Sequence, residues 1–179
     1  MNRLTLLMAI VWLMALSAAP LRADDTVTLK STNGQYQLVL PAGWASADFQ
    51  VDNVQIGASD KHLGEYAEVV AEPLKEYVDS LTQYAEGKRD TMAMSLDNPL
   101  VTSGSAIKVD GRDALQFDVR GQIPGTNVRI GYSLTVMKTK THYVQIIGWT
   151  LDSLFENKRS DLENLANGFS EPAEAKKAN

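Results

Sequence analysis

The sequence predicts an α/β (α+β) fold, a sandwich in which helices cover a mainly antiparallel sheet. Three observations lead to this prediction: short strands with alternating apolar residues, turn residues between them, and two amphipathic segments. One amphipathic segment interrupts the strands and the other follows the last of them. Both kinds of element have one apolar side to bury, so the helices are expected to pack against the sheet.

The first strands form a hairpin. Residues 27–30 and 35–40 flank Asn33-Gly34, a pair that supplies the positive φ angles of a tight turn. Apolar side chains recur at every second position of residues 36–40, as in a half-buried strand. Two more short strands are expected at 54–58 and 66–72.

The inserted helix is predicted over residues 74–95. The stripe at helical spacing consists of Tyr77, Leu81, Tyr84, Ala85, Lys88 and Met92. Gly87 lies inside this stretch and costs about 1 kcal/mol relative to alanine. Asn98-Pro99 is expected to end the segment.

The second half predicts a meander. Strands at 101–109 and 113–123 are separated by Asp110-Gly111-Arg112, a hairpin signal, and Pro124-Gly125 leads into a strand at 127–138. Residues 143–149 are apolar on both faces, which predicts a central strand.

The terminal helix is expected to begin near Ser153. Ser153 and Glu156 have the spacing of a capping box, and Gly168 suits a left-handed helix end. The predicted buried stripe comprises Leu154, Phe155, Lys158, Leu162, Leu165, Ala166 and Phe169.

Residues 1–23 have the features of a cleavable signal peptide. Arg3 precedes an apolar run from 4 to 19, and small residues lead to a cleavage site after Ala23. The mature chain is then one domain over 24–170 with a disordered tail at 171–179. We expect it in the periplasm, or secreted. The sequence has no cysteine, so neither a disulfide nor a lipid-modified cysteine can form.

Charge excludes one class of partner. The net charge of −5 becomes −7 once Arg3 and Arg22 leave with the signal peptide. A negative surface repels phosphate backbones, so we expect no nucleic acid partner. No second apolar stretch approaches spanning length, so no membrane insertion is expected after cleavage.

No catalytic motif is present. The sequence has two histidines, His62 and His142, no cysteine and no Gly-x-Ser-x-Gly elbow, so we predict no catalytic residue and no cofactor. The best metal-like group is Asp60, His62 and Glu65, whose donors suit weak zinc or manganese binding. The competing interpretation is a solvated polar loop, because no second histidine lies at ligand spacing.

Two arginines form the candidate binding site. If Pro124 and Gly125 are the two loop residues, Arg120 lies opposite Arg129, and like charges directly opposite each other are destabilising. Either Asp118 neutralises them diagonally, or they bind a carboxylate or other anion from a partner. The register depends on a Pro-Gly turn, which favours type II and matches hairpin twist poorly.

Aromatic residues offer a further alternative. Trp44, Trp149, Tyr77 and Tyr84 suit packing in the core and at sheet ends, or else a carbohydrate cleft.

The layout resembles the PsbP-like family, which includes the DcrB-like envelope proteins and a nuclear-import factor that binds the GTPase Ran. The matching segments are YQLVLPAGW (36–44), EYVDSLTQYAE (76–86), DGRDALQFDV (110–119) and SLFENKRSDLENLANGF (153–169). The resemblance implies a three-layer α/β/α sandwich and a binding or assembly protein that is not an enzyme. It carries over no functional residue, because the family shares no catalytic set.

We therefore predict an exported, non-enzymatic binding or assembly protein of the bacterial envelope, engaging another envelope protein. The alternatives are a carrier of metal or a small ligand, and a small enzyme whose site the sequence does not reveal.

Overall fold

Among the described residues, an antiparallel sheet of eight strands forms the middle layer. In this computed structural model those residues are 26–49, 52–77 and 80–172, so the predicted signal peptide (1–23) and residues 173–179 of the predicted tail lie outside them. The strands are β1 (Thr26–Lys30), β2 (Gln37–Pro41), β3 (Ala45–Ser46), β4 (Val54–Asp60), β5 (Glu65–Pro73), β6 (Asp97–Val101), β7 (Ser105–Val109), β8 (Arg112–Gln122), β9 (Arg129–Lys138), β10 (His142–Leu151) and β11 (Phe169–Ser170). The helices are α1 (Leu81–Met94) and α2 (Asp152–Asn164), with 3₁₀ turns at Leu74–Glu76 and Leu165–Gly168.

The order across the large sheet is β3-β4-β5-β10-β9-β8-β6, and β7 also pairs with β8. The predicted central strand is confirmed, because β10 lies in the middle of this order. Its two faces belong to two cores: Val144 and Ile146 contribute to one, Tyr143 and Ile147 to the other. The remaining strands, β1, β2 and β11, form a small second sheet.

The two helices cover opposite faces of the large sheet. Tyr84 and Ala85 of α1 share a core with Phe117 and Leu134. On the other face, Phe155 of α2 packs with Met137, Val144 and Ile146. Leu38 and Leu40 of the small sheet join that second core. The predicted three-layer arrangement is therefore confirmed.

Helix α1 starts later than the sequence predicted. Residues Leu74–Glu76 form a separate 3₁₀ turn, and α1 begins after Ser80. Ser80 Oγ accepts from Gln83 N at 3.3 Å, and Gln83 Oε1 accepts from Ser80 N at 3.1 Å. This capping box satisfies two backbone donors that would otherwise lack helical partners, which fixes the start of the helix.

Helix α2 follows β10 without a loop, so the predicted capping box at Ser153 is wrong. The helix starts at Asp152, and the preceding Leu151 makes no side-chain cap. Gly168 lies in a 3₁₀ turn, not in the predicted left-handed conformation. A Cβ at Gly168 would collide with the carbonyl oxygen of Val39, so close packing on β2 is what requires glycine there.

The predicted strand 101–109 is two strands in the structure. Gly104 separates β6 from β7 with a φ of 88°, and a Cβ there would collide with the Phe117 ring. Asn98 and Pro99 lie within β6 and do not end the segment before it. None of the helices in the described ranges is long and apolar enough to span a bilayer.

Candidate functional site

The two predicted arginines meet at the start of α2. Arg120 Nε donates to Asp152 Oδ1 at 2.6 Å, and Arg129 Nε donates to Asp152 Oδ2 at 3.1 Å. Arg120 also pairs with Glu156, one turn further along the helix. An acidic side chain in the first helical turn complements the helix dipole as well. A carboxylate of the same chain therefore lies between the two arginines.

The local geometry follows from Gly131 on β9. Arg120 lies directly opposite Gly131, and a Cβ at that glycine would collide with Phe155. The missing side chain lets α2 approach the sheet closely, and the Arg120 guanidinium carbon lies 5.1 Å from the centre of the Phe155 ring. Such a cation–π contact favours one orientation of the guanidinium.

The electrostatics of Asp152 reflect two opposing effects. Burial disfavours its charged form, but the hydrogen bonds from Arg120 and Arg129 outweigh burial and hold the pKa of Asp152 below its ordinary value. The pKa of Arg120 is raised, chiefly by its hydrogen bond to Asp152. Both groups are therefore charged at neutral pH.

The register predicted for the β8–β9 hairpin is wrong by two residues. Arg129 lies opposite Gln122, and Phe117 lies opposite Leu134. The Pro-Gly pair forms a turn in which Thr126 N donates to Ile123 O at 3.1 Å and Gly125 has a φ of 72°. This is the type II pattern, which needs a longer loop than a two-residue hairpin. A shift of two leaves each side chain on its predicted face, so Arg120 and Arg129 stay on the same side.

The third predicted residue, Asp118, pairs with a different partner. Asp118 Oδ2 lies 2.6 Å from Arg159 Nη2 of α2, and Asp118 is buried. Burial raises the pKa of Asp118 although Arg159 opposes the shift. Ser133, directly opposite Asp118 on β9, has a buried Oγ without a hydrogen-bond partner among the described residues. The binding role predicted for Asp118, Arg120 and Arg129 stays a prediction.

Two of the three weak metal candidates, Asp60 and Glu65, make contacts within the chain. Asp60 Oδ1 accepts from the backbone N–H of His62 at 2.9 Å and of Leu63 at 3.1 Å, which closes the β4–β5 turn. Glu65 is buried opposite Asp60, and Lys158 Nζ lies 3.1 Å from its Oε1. The His62 side chain is exposed. Within the described ranges, no group of three or more potential ligands is arranged to hold a metal ion.

The other histidine and the aromatic candidates occupy separate places. His142 Nδ1 lies 2.8 Å from Thr141 Oγ1 at the start of β10. Trp44 and Tyr84 are buried, while Tyr77 and Trp149 are partly exposed. Trp44 and Tyr84 lie in different cores, so these four side chains do not form one cleft.

Exposed apolar side chains lie at the same end of the large sheet as the arginine cluster. Leu151 is 50% exposed, Val128 is 43% exposed, and Leu154 is exposed on the first turn of α2. Leu151 lies opposite Ile130, two residues from Val128, so these side chains occupy the same end of the sheet. We call Val128, Arg129, Leu151 and Leu154 the α2-start surface. Sequence reasoning missed it because Leu154 was assigned to the buried stripe and Leu151 to no element.

Comparison with solved structures identifies proteins that have a similar fold. No protein-family model matches the sequence, and no curated protein sequence matches it. Among solved structures, the chain is similar to cyanobacterial PsbP (CyanoP) from Synechocystis sp. PCC 6803, with a TM-score of 0.62 and 16% identity, covering 87% of this chain and 97% of that one. It is also similar to the Ran-binding protein Mog1p of Saccharomyces cerevisiae, with a TM-score of 0.54 and 11% identity, covering 83% and 96%.

A third similar structure comes from Bacteroides thetaiotaomicron VPI-5482, with a TM-score of 0.53 and 12% identity, covering 82% of this chain and 48% of that one. Identities this low establish the fold alone. The predicted resemblance is confirmed at that level, and the chain has a PsbP/Mog1-like α+β fold.

Proposed function

We propose that this chain is an exported, non-enzymatic binding protein of the bacterial envelope and that it engages another protein. The α2-start surface is the observation that carries the proposal. It places exposed Leu151 and Val128 at the same end of the sheet as Arg129, whose side chain is 38% exposed although it contacts Asp152. Arginine is enriched at protein interfaces and among the residues that contribute most binding energy, and the buried centre of an interface is more apolar than the rest of the surface.

The rigid base of this surface supports the same proposal. Arg129 is oriented by Asp152, and Asp152 is held in turn by Arg120. An arginine that is already oriented loses less conformational entropy when a partner carboxylate approaches. The expected partner surface therefore has an apolar centre and a carboxylate placed to meet Arg129.

The similar structures support a binding role in general terms. Mog1p is a Ran-binding protein, so this fold supports protein recognition in at least that case. A shared fold does not transfer a partner, and we name none on that basis.

The non-enzymatic part of the proposal rests on the ion pairs that the charged side chains form with one another. Arg120, Asp152, Asp118 and Arg159 satisfy one another in ion pairs across the helix–sheet contact. Groups that hold a helix in place in this way are not directed at a substrate. The alternative is an enzyme. A reaction catalysed by the protein, with a rate that falls when a described residue is substituted, would favour it.

A small-ligand carrier is the second candidate, and a cleft favours it. The cleft has a volume of about 290 Å³ and lies between β1 and β4, with Lys30, Ser46, Asp48, Phe49 and Gln55 in its lining. This volume is at the lower limit for small-molecule sites. Native mass spectrometry of protein purified from its source would reveal a retained ligand, and calorimetry with zinc and manganese would reveal a metal.

Affinity capture from an envelope extract tests the binding role. The bait set is the wild type, Leu151→Ser, Arg129→Gln, and Lys140→Ser as a control at the exposed opposite end of the strands. We expect one envelope protein with the wild type and the control, and much less with Leu151→Ser or Arg129→Gln. Capture that both substitutions leave unchanged would reject the surface, and repeated capture of nothing would reject the function.

Export needs a separate measurement. The mass of the native protein from the periplasmic fraction is expected to correspond to a chain that starts at Asp24. A native product that keeps Met1 through Ala23 in a cytosolic fraction would reject the envelope assignment.

A further inference from the structure

Helix α1 covers one part of its face of the large sheet and leaves another part partly exposed. It packs on β6, β8 and β9. On the neighbouring strands, the same face carries Tyr66 and Glu68 of β5 and Trp149 of β10, all partly exposed. This area lies on the opposite face of the sheet from Phe155 and α2.

The aromatic side chains of this area contact one another in a row across the strands. Tyr66 lies directly opposite Trp149, and their rings are stacked with centres 5.5 Å apart at an angle of 15°. Tyr132 lies opposite Trp149 on β9, with ring centres 6.2 Å apart. Phe49 approaches Trp149 from the segment before β4, at 5.1 Å. The four rings form a continuous aromatic wall.

Glu68 lies beside this wall, and no described residue serves as its counter-ion. It is two residues from Tyr66 on the same face of β5, and it makes no ion pair or hydrogen bond with any described residue. Burial raises the pKa of Glu68, and the pKa of Tyr132 is raised by burial and then by the charge of Glu68. The basic side chains of α1 are occupied elsewhere, Lys88 by Glu72 and Arg89 by Asp90.

We propose that Glu68 and the aromatic wall bind an arginine side chain presented by a protein partner. An unpaired, partly desolvated carboxylate favours a cation, and aromatic faces add cation–π attraction. A guanidinium fits better than an ammonium, because it is planar, stacks on rings and meets a carboxylate with two parallel hydrogen bonds.

The shape of the area favours a side chain on a protein over a free small molecule. Tyr66, Glu68, Tyr132 and Trp149 all keep part of their surface exposed on one side of a sheet. Sites for free small molecules enclose most of the ligand, whereas a surface of this kind contacts one side only. Leu151 of the α2-start surface lies two residues beyond Trp149 on β10, but the proposal uses none of the four residues of that surface.

Titration of the ¹⁵N-labelled mature chain, followed by NMR at the Trp149 indole N–H, tests this inference. The probes are Nα-acetyl-arginine amide, its neutral isostere Nα-acetyl-citrulline amide, and Nα-acetyl-lysine amide. We expect a saturable shift with the arginine probe, and affinity at least about tenfold weaker for citrulline, since the charged hydrogen bond is lost. The lysine probe is expected to bind more weakly than arginine.

Variants complete the test. Glu68→Gln is expected to weaken arginine binding at least about tenfold, to the citrulline level. Glu86→Gln, an exposed carboxylate on α1, and Arg129→Gln, on the α2 side of the sheet, are expected to bind arginine as the wild type does. Loss of partner capture by Arg129→Gln with intact arginine binding would separate the two surfaces.

Four results would overturn all or part of the inference. One is equal binding of citrulline and arginine, which would indicate aromatic contact alone. Another is unchanged binding by Glu68→Gln. The third is no shift of the Trp149 signal at arginine concentrations up to about 50 mM. Equal binding of lysine and arginine would overturn the assignment of a guanidinium.

Discussion

Replacement of Asp152 by asparagine tests whether one carboxylate holds two strands and a helix together. Asp152→Asn keeps the shape of the side chain and removes the charge that neutralises Arg120 and Arg129. The Asp152 side chain is only 17% exposed, so solvent screens the two pairs incompletely. Asparagine retains one acceptor oxygen, and Arg120 retains Glu156.

The expected loss of stability is about 2 kcal/mol. A hydrogen bond between charged groups contributes about 1.5–3 kcal/mol, and the lower value applies to the pair with Arg120 because asparagine retains one acceptor oxygen. The pair with Arg129 is more exposed and adds about 0.5 kcal/mol. For a domain of this size, the sum corresponds to a decrease in Tm of roughly 4–8 °C.

Urea unfolding of the wild type, Asp152→Asn and the control Asp161→Asn measures this loss. Asp161 is 63% exposed and lies 3.8 Å from Lys158, so its substitution is expected to cost less than about 0.5 kcal/mol. Folding lowers the pKa of Asp152, so its charged form stabilises the folded protein at pH values above the ordinary aspartate pKa of 3.8. This stabilisation is lost as the pH falls through the lower pKa of the folded state. The gap between wild type and Asp152→Asn should therefore shrink in acid. Equal losses for both variants, or a gap that does not change down to the lowest pH at which the protein folds, would refute the reasoning.

The remaining predictions concern single residues on the sheet and helices. Glu68→Gln is expected to raise the free energy of unfolding at pH 7, because folding raises the pKa of Glu68 and so disfavours its charged form. This gain in stability should vanish below the ordinary glutamate pKa of 4.5. Urea unfolding midpoints at pH 3.5 and pH 7 measure the difference. Gly168→Ala is expected to destabilise the protein by more than about 2 kcal/mol through collision with Val39, with thermal unfolding as the assay. Gly87→Ala, with open space around it inside α1, is expected to stabilise by about 0.5–1 kcal/mol in the same assay; if both alanines had the same effect, the packing argument for Gly168 would be wrong.

The sequence was sufficient to predict the features that depend on a local pattern of residues. The central position of β10 followed from apolar residues on both faces, and the β7–β8 hairpin followed from Asp110-Gly111, whose φ angles are 49° and 75°. Period-two alternation also placed Arg120 and Arg129 on the same face, although the register was wrong. A shift of two residues preserves the face, so side-chain direction is better determined by sequence than strand alignment.

The sequence was insufficient to predict contacts between residues that lie far apart in the chain. Asp152 is 32 residues from Arg120, and no local pattern connects them. The start of α1 was available locally, because Ser80 and Gln83 have capping-box spacing, but the prediction followed the apolar stripe instead. The requirement for glycine at position 168 comes from Val39 on a different element, which no spacing rule reveals.

The most direct test of the proposed function is photocrosslinking inside intact cells. A photoreactive residue replaces Leu151 in the α2-start surface, and a control protein carries it at Lys140 at the opposite end of the strands. We expect one defined adduct with an envelope protein from position 151, in the periplasmic fraction, and none from position 140. Absence of any adduct from position 151, or equal adducts from both positions, would contradict it.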